Sequence, residues 1–487
     1  MRQVDKIRVS NEKQRDKHAV SKVFSILMQM SRPVPGPREF LALRSILAAV
    51  AAALLACQST ALADRPPNVV LIYIDNVGFG DIGCYGNPVI RTPNINRLAR
   101  EGVRCTDFYI VTSSCTPSRG ALLTGRYPLR NGLTHQLSRE ENWTGIGLPH
   151  SETILPQYLK RAGYATGCFG KWNIGFATGS RPTDRGFDEF LGCRSGNIDY
   201  YTHVYNGQKD LYRGTEPVEM TGYATDLFAD AACDFMRRHH EQPFLAYVPF
   251  NAAHVPNPKN KAGGVPTVWQ APAKYFRTYG YQADSTDPDE GYHAVMTALD
   301  AGIGRIVEQI DQLNLRENTI IIVASDNGAS VRSDLVLETG TNAPFRGGRT
   351  QTWEGGIRTA CILRWPARFE AGIVCREPVA NIDLVPMILC AANLEPPDAV
   401  RLDGRDPTAT LAGEAASPHE YLFFEYRKWC GARSGRWKVV RSRPDAVFEL
   451  YDLATDRGET RDLAKVRPKI AGQMTRAFEN WRSQFPR

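Results

Sequence analysis

Two runs of apolar, largely β-branched residues constrain this chain more than any other feature. "NVVLIYI" (Asn68–Ile74) and "TIIIVAS" (Thr319–Ser325) have almost no polar interruption. A strand with one wet face alternates apolar and polar; a continuous apolar run is the pattern of a parallel strand covered by helices on both faces. Each run stops at an aspartate followed by an asparagine, Asp75-Asn76 and Asp326-Asn327, with a glycine soon after. A third run, "PFLAYVPF" (Pro243–Phe250), leads into "NAAH", which ends at His254. Helical periodicity alternates with these runs. "YATDLFADAACDFMRRHH" places Leu227, Phe228, Ala231, Phe235 and Met236 on one face, and "YHAVMTALDAGIGRIVEQIDQL" does the same with Val295, Leu299, Ile303, Ile306, Val307 and Ile310. The alternation predicts an α/β domain with a mainly parallel sheet sandwiched by helices. In such sheets the residues just beyond the strand carboxyl ends share one crevice, where ligands bind. Asp75, Asp326 and His254 are all so placed.

From about Glu420 the pattern changes. "YLFFEYR", "WKVVRS" and "FELYDL" are short alternating segments, and "KIAGQMTRAFENWRSQF" is an amphipathic helix. They predict a smaller α+β unit on an antiparallel sheet. The expected organisation is an N-terminal extension over 1–63, a catalytic α/β domain over 64–415 and the α+β unit over 416–487.

The formal charge of +7 belongs mostly to the extension. Taking the ten basic and four acidic side chains of residues 1–63 from the totals of 59 and 52 leaves 49 and 48. Nothing there has the basic excess of a nucleic-acid binder. "SILAAVAAALLAC" (Ser45–Cys57) follows Arg44, is too short to span a bilayer comfortably, and precedes "ALA" at Ala61–Ala63. This reads as an export signal cleaved near Ala63, giving a periplasmic or secreted protein with no stable membrane span. "LLAC" also resembles a lipobox, which would make a lipoprotein at Cys57. The polar lead before it fits a start at Met28 or Met30. The eleven cysteines show no CxxC pairs and no zinc spacing.

"SSCTPSRGALLTGR" (Ser113–Arg126) holds one of those cysteines where a helix begins: Pro117 suits a first turn. A helix start favours an anion, and Arg119 lies one turn on. Bare, Cys115 is open to two readings: a thiolate of lowered pKa or a small buried hydrophobe. Each Asp-Asn pair alone would read as a turn. Two pairs at strand ends read as hard oxygen ligands for calcium or magnesium.

Cys-Thr-Pro-Ser-Arg followed by "GALLTGR" resembles the signature of the formylglycine-dependent sulfatases, members of the alkaline phosphatase-like superfamily. The resemblance extends from Asn68 to the C-terminal "ELYDL". It implies that Cys115 is oxidised to formylglycine by a formylglycine-generating enzyme, and that the hydrated aldehyde attacks sulfur and later expels sulfate. It also implies one metal ion, expected to be Ca2+, held by Asp75, Asn76, residue 115, Asp326 and Asn327. "GKWNIG" (Gly170–Gly175) resembles a second family motif and implies that Lys171 holds a sulfate oxygen. Asn173 stands where the family has a histidine base, and Asn76 where it has aspartate. His254 matches the histidine near the leaving-group oxygen. "FRGGRTQTWEGGIR" (Phe345–Arg358) resembles a further stretch, with Arg349 in place of lysine. Arginine binds sulfate but is a poor proton donor, which shifts the acid role toward His254. Random decay would also have damaged Cys115, Pro117, Arg119 or Lys171, and all four still match the motif, which favours an active enzyme. "RPTDRGFDEFLGCRSGNIDYYTH" (Arg181–His203) and "GLTHQL" (Gly132–Leu137) are similar to arylsulfatase B-type enzymes, which act on sulfated N-acetylgalactosamine. They imply a sulfated carbohydrate or aryl sulfate substrate, with Tyr200, Tyr201 and His203 as candidates for a sugar subsite or, for the tyrosines, for core packing. The alternatives are a phosphonate or phosphodiester hydrolase, and a non-catalytic glycan-binding homologue.

Overall fold

The computed structural model describes residues 65–256, 269–330, 339–396 and 400–486. The expected signal, its cleavage site and Cys57 lie outside these residues. The principal strands, in chain order, are β1 (Asn68–Ile74), β2 (Val103–Tyr109), β3 (Ala165–Lys171), β4 (Glu189–Cys193), β5 (Phe244–Pro249), β6 (Thr319–Ser325), β7 (Arg358–Arg364), β8 (Ile373–Cys375), β9 (Leu422–Tyr426), β10 (Trp429–Ser434), β11 (Trp437–Arg441) and β12 (Glu449–Asp452). The main helices are α1 (Cys115–Thr124), α2 (Ala224–His239), α3 (Pro288–Gln312) and α4 (Pro468–Arg482).

The large sheet runs β8-β2-β7-β6-β1-β5-β3-β4, extended by three two-residue strands. Strands β6, β1, β5, β3 and β4 are mutually parallel, and β7 is antiparallel to both of its neighbours. Every residue of β1 and β6 is buried, as a continuous apolar run requires. Side chains of a strand point alternately to its two faces. Val70, Ile72 and Ile74 therefore join one core with Phe228, Phe235, Val295 and Ile303 from α2 and α3. Val69, Leu71 and Tyr73 join the core on the other face. On α2 the predicted stripe is slightly rotated: Ala232 is buried, whereas Leu227 and Ala231 sit at its margin. Among the described residues no helix is long and apolar enough to cross a membrane.

Strands β9 to β12 form a separate antiparallel sheet in sequence order. In β9, residues 422, 424 and 426 are buried and the two between them are half-exposed, the signature of a strand with one wet face. Phe478 and Trp481 of α4 pack with Phe424, Val439 and Leu450, and the same core takes in Tyr109, Ala121 and Ile357 of the larger layer. Below it lies a closed ionic cluster. Lys438 Nζ is 2.8 Å from both Glu354 Oε1 and Glu459 Oε1. Arg358 bonds Glu354 at 3.0 Å and Asp107 at 2.7 Å, and Arg433 reaches Asp107 at 2.7 Å. The Tyr109 hydroxyl donates to Glu354 Oε2 at 2.6 Å. Three cations face three carboxyls, so no isolated charge is buried.

Candidate active site

Strands β1 and β6 pair in register from Asn68↔Thr319 to Ile74↔Ser325. They end level, so Asp75 and Asp326 emerge side by side, the Asp326 N–H donating to the Ile74 carbonyl at 3.0 Å. Helix α1 starts at Cys115, after Ser114 in extended conformation. The thiol lies 3.5 Å from Asp75 Oδ1, 3.4 Å from Asn327 Oδ1 and 3.7 Å from Asn76 Oδ1. Asn327 Nδ2 donates to Asn76 Oδ1 at 2.6 Å, which turns Asn327 Oδ1 toward residue 115. Ligand atoms of Asp75, Cys115 and Asp326 lie within 4.8 Å of one another. The five residues named as metal ligands from the sequence thus meet in one buried cradle. Its oxygen donors suit a hard divalent cation.

Two cations close the cradle. Lys171, the last residue of β3, puts Nζ 2.5 Å from Asp75 Oδ2. Arg119 bonds Asp326 Oδ2 through Nε at 3.1 Å and Nη2 at 2.7 Å, and donates through Nη1 to the Lys171 carbonyl at 3.2 Å. Gly170 lets β3 come this close. Its φ is +139°, and a Cβ there would sit 2.1 Å from the Pro249 carbonyl oxygen. Asn76 and Asn173 also have left-handed backbones, φ 56° and 55°, a region in which asparagine, aspartate and histidine are the enriched side-chain-bearing residues.

The bare cysteine is not a low-pKa thiolate. Burial, then the charge of Asp326, push the Cys115 thiol up to about 11. The helix start loses to burial beside two carboxylates, and the charge of Arg119 is engaged by Asp326. Burial and the neighbouring Asp75 likewise raise Asp326 above the usual carboxylate range.

His254 follows β5 in the same crevice. Its Nδ1 is 2.8 Å from the Val255 carbonyl and 3.0 Å from Asn197 Nδ2. Burial, then the charges of Lys171 and Arg349, hold its pKa well below the ordinary imidazole value. The Val255 carbonyl can only accept, whereas the Asn197 amide nitrogen can only donate, and it donates to that same carbonyl at 3.1 Å. Arg349 is half-buried, and its backbone N–H donates to the Ala329 carbonyl at 3.1 Å. Its charge is felt by both His254 and Cys115.

Asn173 is fixed by a residue the sequence gave no reason to single out. Asn142 Nδ2 donates to the Ser138 carbonyl at 3.2 Å and to Asn173 Oδ1 at 3.0 Å. The Ser138 carbonyl sets the orientation of the Asn142 amide, and that amide sets the orientation of Asn173. Asn173 Nδ2 is then left buried with no partner. The residue standing where the family has a base is a donor. Gln136 was also missed as an individual residue. Its Oε1 accepts from Ser114 Oγ at 3.0 Å and from the Thr116 N–H at 3.2 Å, bracketing Cys115. Gln136 and Asn173 both border the space above Gly196. These contacts join loops distant in sequence, and isolated amides carry no spacing signal.

The sugar-subsite expectation fails for Tyr200. Its ring is fully buried and stacked on Tyr223 at 5.3 Å, and its hydroxyl donates to the His254 carbonyl at 3.0 Å. It supports the loop that carries His254. His203 is buried as well, whereas Tyr201 is 43% exposed.

Comparison with known proteins agrees with this geometry. Residues 67–394 match the sulfatase family, and residues 349–484 match the N-sulphoglucosamine sulphohydrolase C-terminal family. The chain is 34% identical to N-acetylgalactosamine-6-sulfatase of Rattus norvegicus over 72% of its own length and 66% of the rat enzyme's. It is 32% identical to arylsulfatase A of Homo sapiens, covering 86% of each chain. The crystal structure of Ps i-CgsB in complex with k-i-k-neocarrahexaose superimposes with a TM-score of 0.76 at 28% identity, covering 86% of this chain and 93% of that one. The fold is that of the alkaline phosphatase-like sulfatases. The chain belongs to the sulfatase family of sulfuric ester hydrolases.

Proposed function

We propose that this enzyme hydrolyses a sulfate ester on a carbohydrate, with residue 115 working as formylglycine made from cysteine. The observation that carries the reading is the cradle itself: a cysteine at a helix start, ringed by three side-chain oxygens at 3.4–3.7 Å and backed by Lys171 and Arg119. Four oxygen-bearing side chains and no second thiol fit calcium, with Asn76 making the site one negative charge weaker than a paired-aspartate version. Hydrated formylglycine supplies a paired-hydroxyl nucleophile, and the cation supplies Lewis-acid charge.

The chain's own groups do the rest. Lys171 and Arg349 hold sulfate oxygens, and the Asn173 amide donates to an oxygen in the same site. His254 Nε2 faces the leaving oxygen. Burial, then the charges of Lys171 and Arg349, hold this imidazole low, and the negative charge of bound sulfate opposes those two cations, which favours a proton on the ring beside the leaving group. Residues 1–63 act as an export leader, and a formylglycine-generating enzyme is required for maturation. The carbohydrate class is supported by the N-acetylgalactosamine-6-sulfatase relative and by the structural neighbour solved with a neocarrahexaose.

The test is protein co-expressed with a formylglycine-generating enzyme. The peptide carrying residue 115 is expected at aldehyde mass, and sulfate release from an aryl or sugar sulfate is expected to fall by about 10⁴-fold in Cys115→Ala. A variant that keeps full turnover ends the proposal.

A further inference from the structure

A second cationic cavity lies where the C-terminal sheet meets the β2/β8 margin of the large sheet. It encloses about 350 Å³, within the range of small-ligand sites, about 300–1,000 Å³. Five arginines line it: Arg358, Arg376, Arg433, Arg436 and Arg457. Against them stand Asp107 and Glu377 in the lining, with Glu354 bonding Arg358 and Asp452 bonding Arg436 from outside it, so the positive charge left in excess belongs to the rim, at Arg376 and Arg457.

The five do different things. Arg358 and Arg433 form the buried floor and share Asp107 at 2.7 Å each. Arg436 is half-exposed and is paired with Asp452. Arg376 and Arg457 are exposed at the rim, and neither forms an ion pair with a described carboxylate. Glu377 is occupied, its Oε2 accepting the Ser417 N–H at 3.0 Å. The floor accounts for the local stability. The rim arginines take part in no such pairing among the described residues and present their guanidinium groups to the opening. Every cation here is a guanidinium, whose planar fork matches the paired oxygens of a sulfate group and sheds water more readily than an ammonium. The cavity shares no lining residue with the Cys115 cradle.

We infer that this cavity is an accessory anchoring site for a sulfated polysaccharide, taking a sulfate group of the polymer remote from the ester being cleaved. The inference rests on the proposed substrate class. Arg376 and Arg457 are the recognition residues, and the floor pair fixes the cavity's shape.

The experiment compares the wild-type holoenzyme with Arg376→Ser/Arg457→Ser, using chondroitin 6-sulfate, unsulfated hyaluronan and a small aryl sulfate. Affinity for chondroitin sulfate is expected to fall roughly tenfold, with a matching rise in KM if that polymer is cleaved. Aryl sulfate turnover and hyaluronan binding are expected to stay unchanged. Unaltered affinity for chondroitin sulfate overturns the inference, and an equal loss toward hyaluronan overturns the assignment to sulfate. Absence of aryl sulfate turnover in the matured wild type counts against the proposed function instead, and polymer binding reads the cavity separately.

Discussion

Two buried ionic clusters in this protein differ in a way that separates architecture from chemistry. Around Lys438 three cations meet three carboxyls, and a tyrosine hydroxyl closes the network. Around residue 115, Asp75 and Asp326 face Lys171 and Arg119 directly, with the charge of Arg349 close by. There the amides have open valences: Asn173 Nδ2 and Asn142 Oδ1 are buried without partners. A buried polar group left unpaired costs roughly 1–3 kcal/mol. Such a cost persists where a ligand is to supply the partner. The balanced cluster joins the two layers, whereas the one around residue 115 keeps polar atoms available for a ligand.

The sharpest way to break this contrast is to open the balanced cluster. Lys438→Met removes the one cation that pairs with Glu459 among the described residues, while Glu354 keeps Arg358 and Tyr109, and is expected to cost about 3–5 kcal/mol, read by chemical denaturation. Activity per folded molecule should hardly change. A large fall in kcat with intact stability would erase the distinction.

The mirror experiment is Asn173→Ala. Removing a positioned donor is expected to lower kcat by about 10²-fold, with little loss of stability. Asn142→Ala releases the Asn173 amide and is expected to lower kcat by roughly tenfold, with KM little changed. If Asn142→Ala instead lowers only the melting temperature, its role is packing.

The smallest effect is one of pH. Burial, with the nearby charge of Glu354, raises the Glu459 carboxyl to about 7. The folded state then binds more protons than the unfolded one between about 4.5 and 7, so this group lowers stability as pH rises through that window. Burial alone would raise Glu354 too, but Lys438 and the two arginines hold it down at about 2, so its contribution is lost only as pH falls below about 4.5. Glu459→Gln is expected to flatten the decline between pH 5 and 8 by about 1 kcal/mol. An unchanged slope in thermal melts would remove Glu459 from the account.

What the sequence made legible follows from range. The apolar runs of β1 and β6 place Asp75 and Asp326 because periodicity is local and strand ends fix direction. The motif around Cys115 brings the rest of the cradle with it. Gln136, Asn142 and Asn197 were invisible because each acts through one contact across a loop. Tyr200 was ambiguous because no periodicity distinguishes an aromatic facing substrate from one facing the core. The thiol of Cys115 went the other way from the helix-start argument because burial, a three-dimensional property, outweighed it. Lys438, inside "WKVV", gave no hint that it would be fully buried.

The left-handed turns at Asn76 and Asn173 bear on how this enzyme can change. Aspartate and histidine tolerate the same backbone, and each is one nucleotide substitution from asparagine. An aspartate at 76 would give the cradle three carboxylates in place of the present two, and a histidine at 173 would put a titratable ring where an amide now stands, in both cases on the main chain already present. Two of its three departures from the family motif, at residues 76 and 173, thus sit on left-handed backbones that accept either residue type.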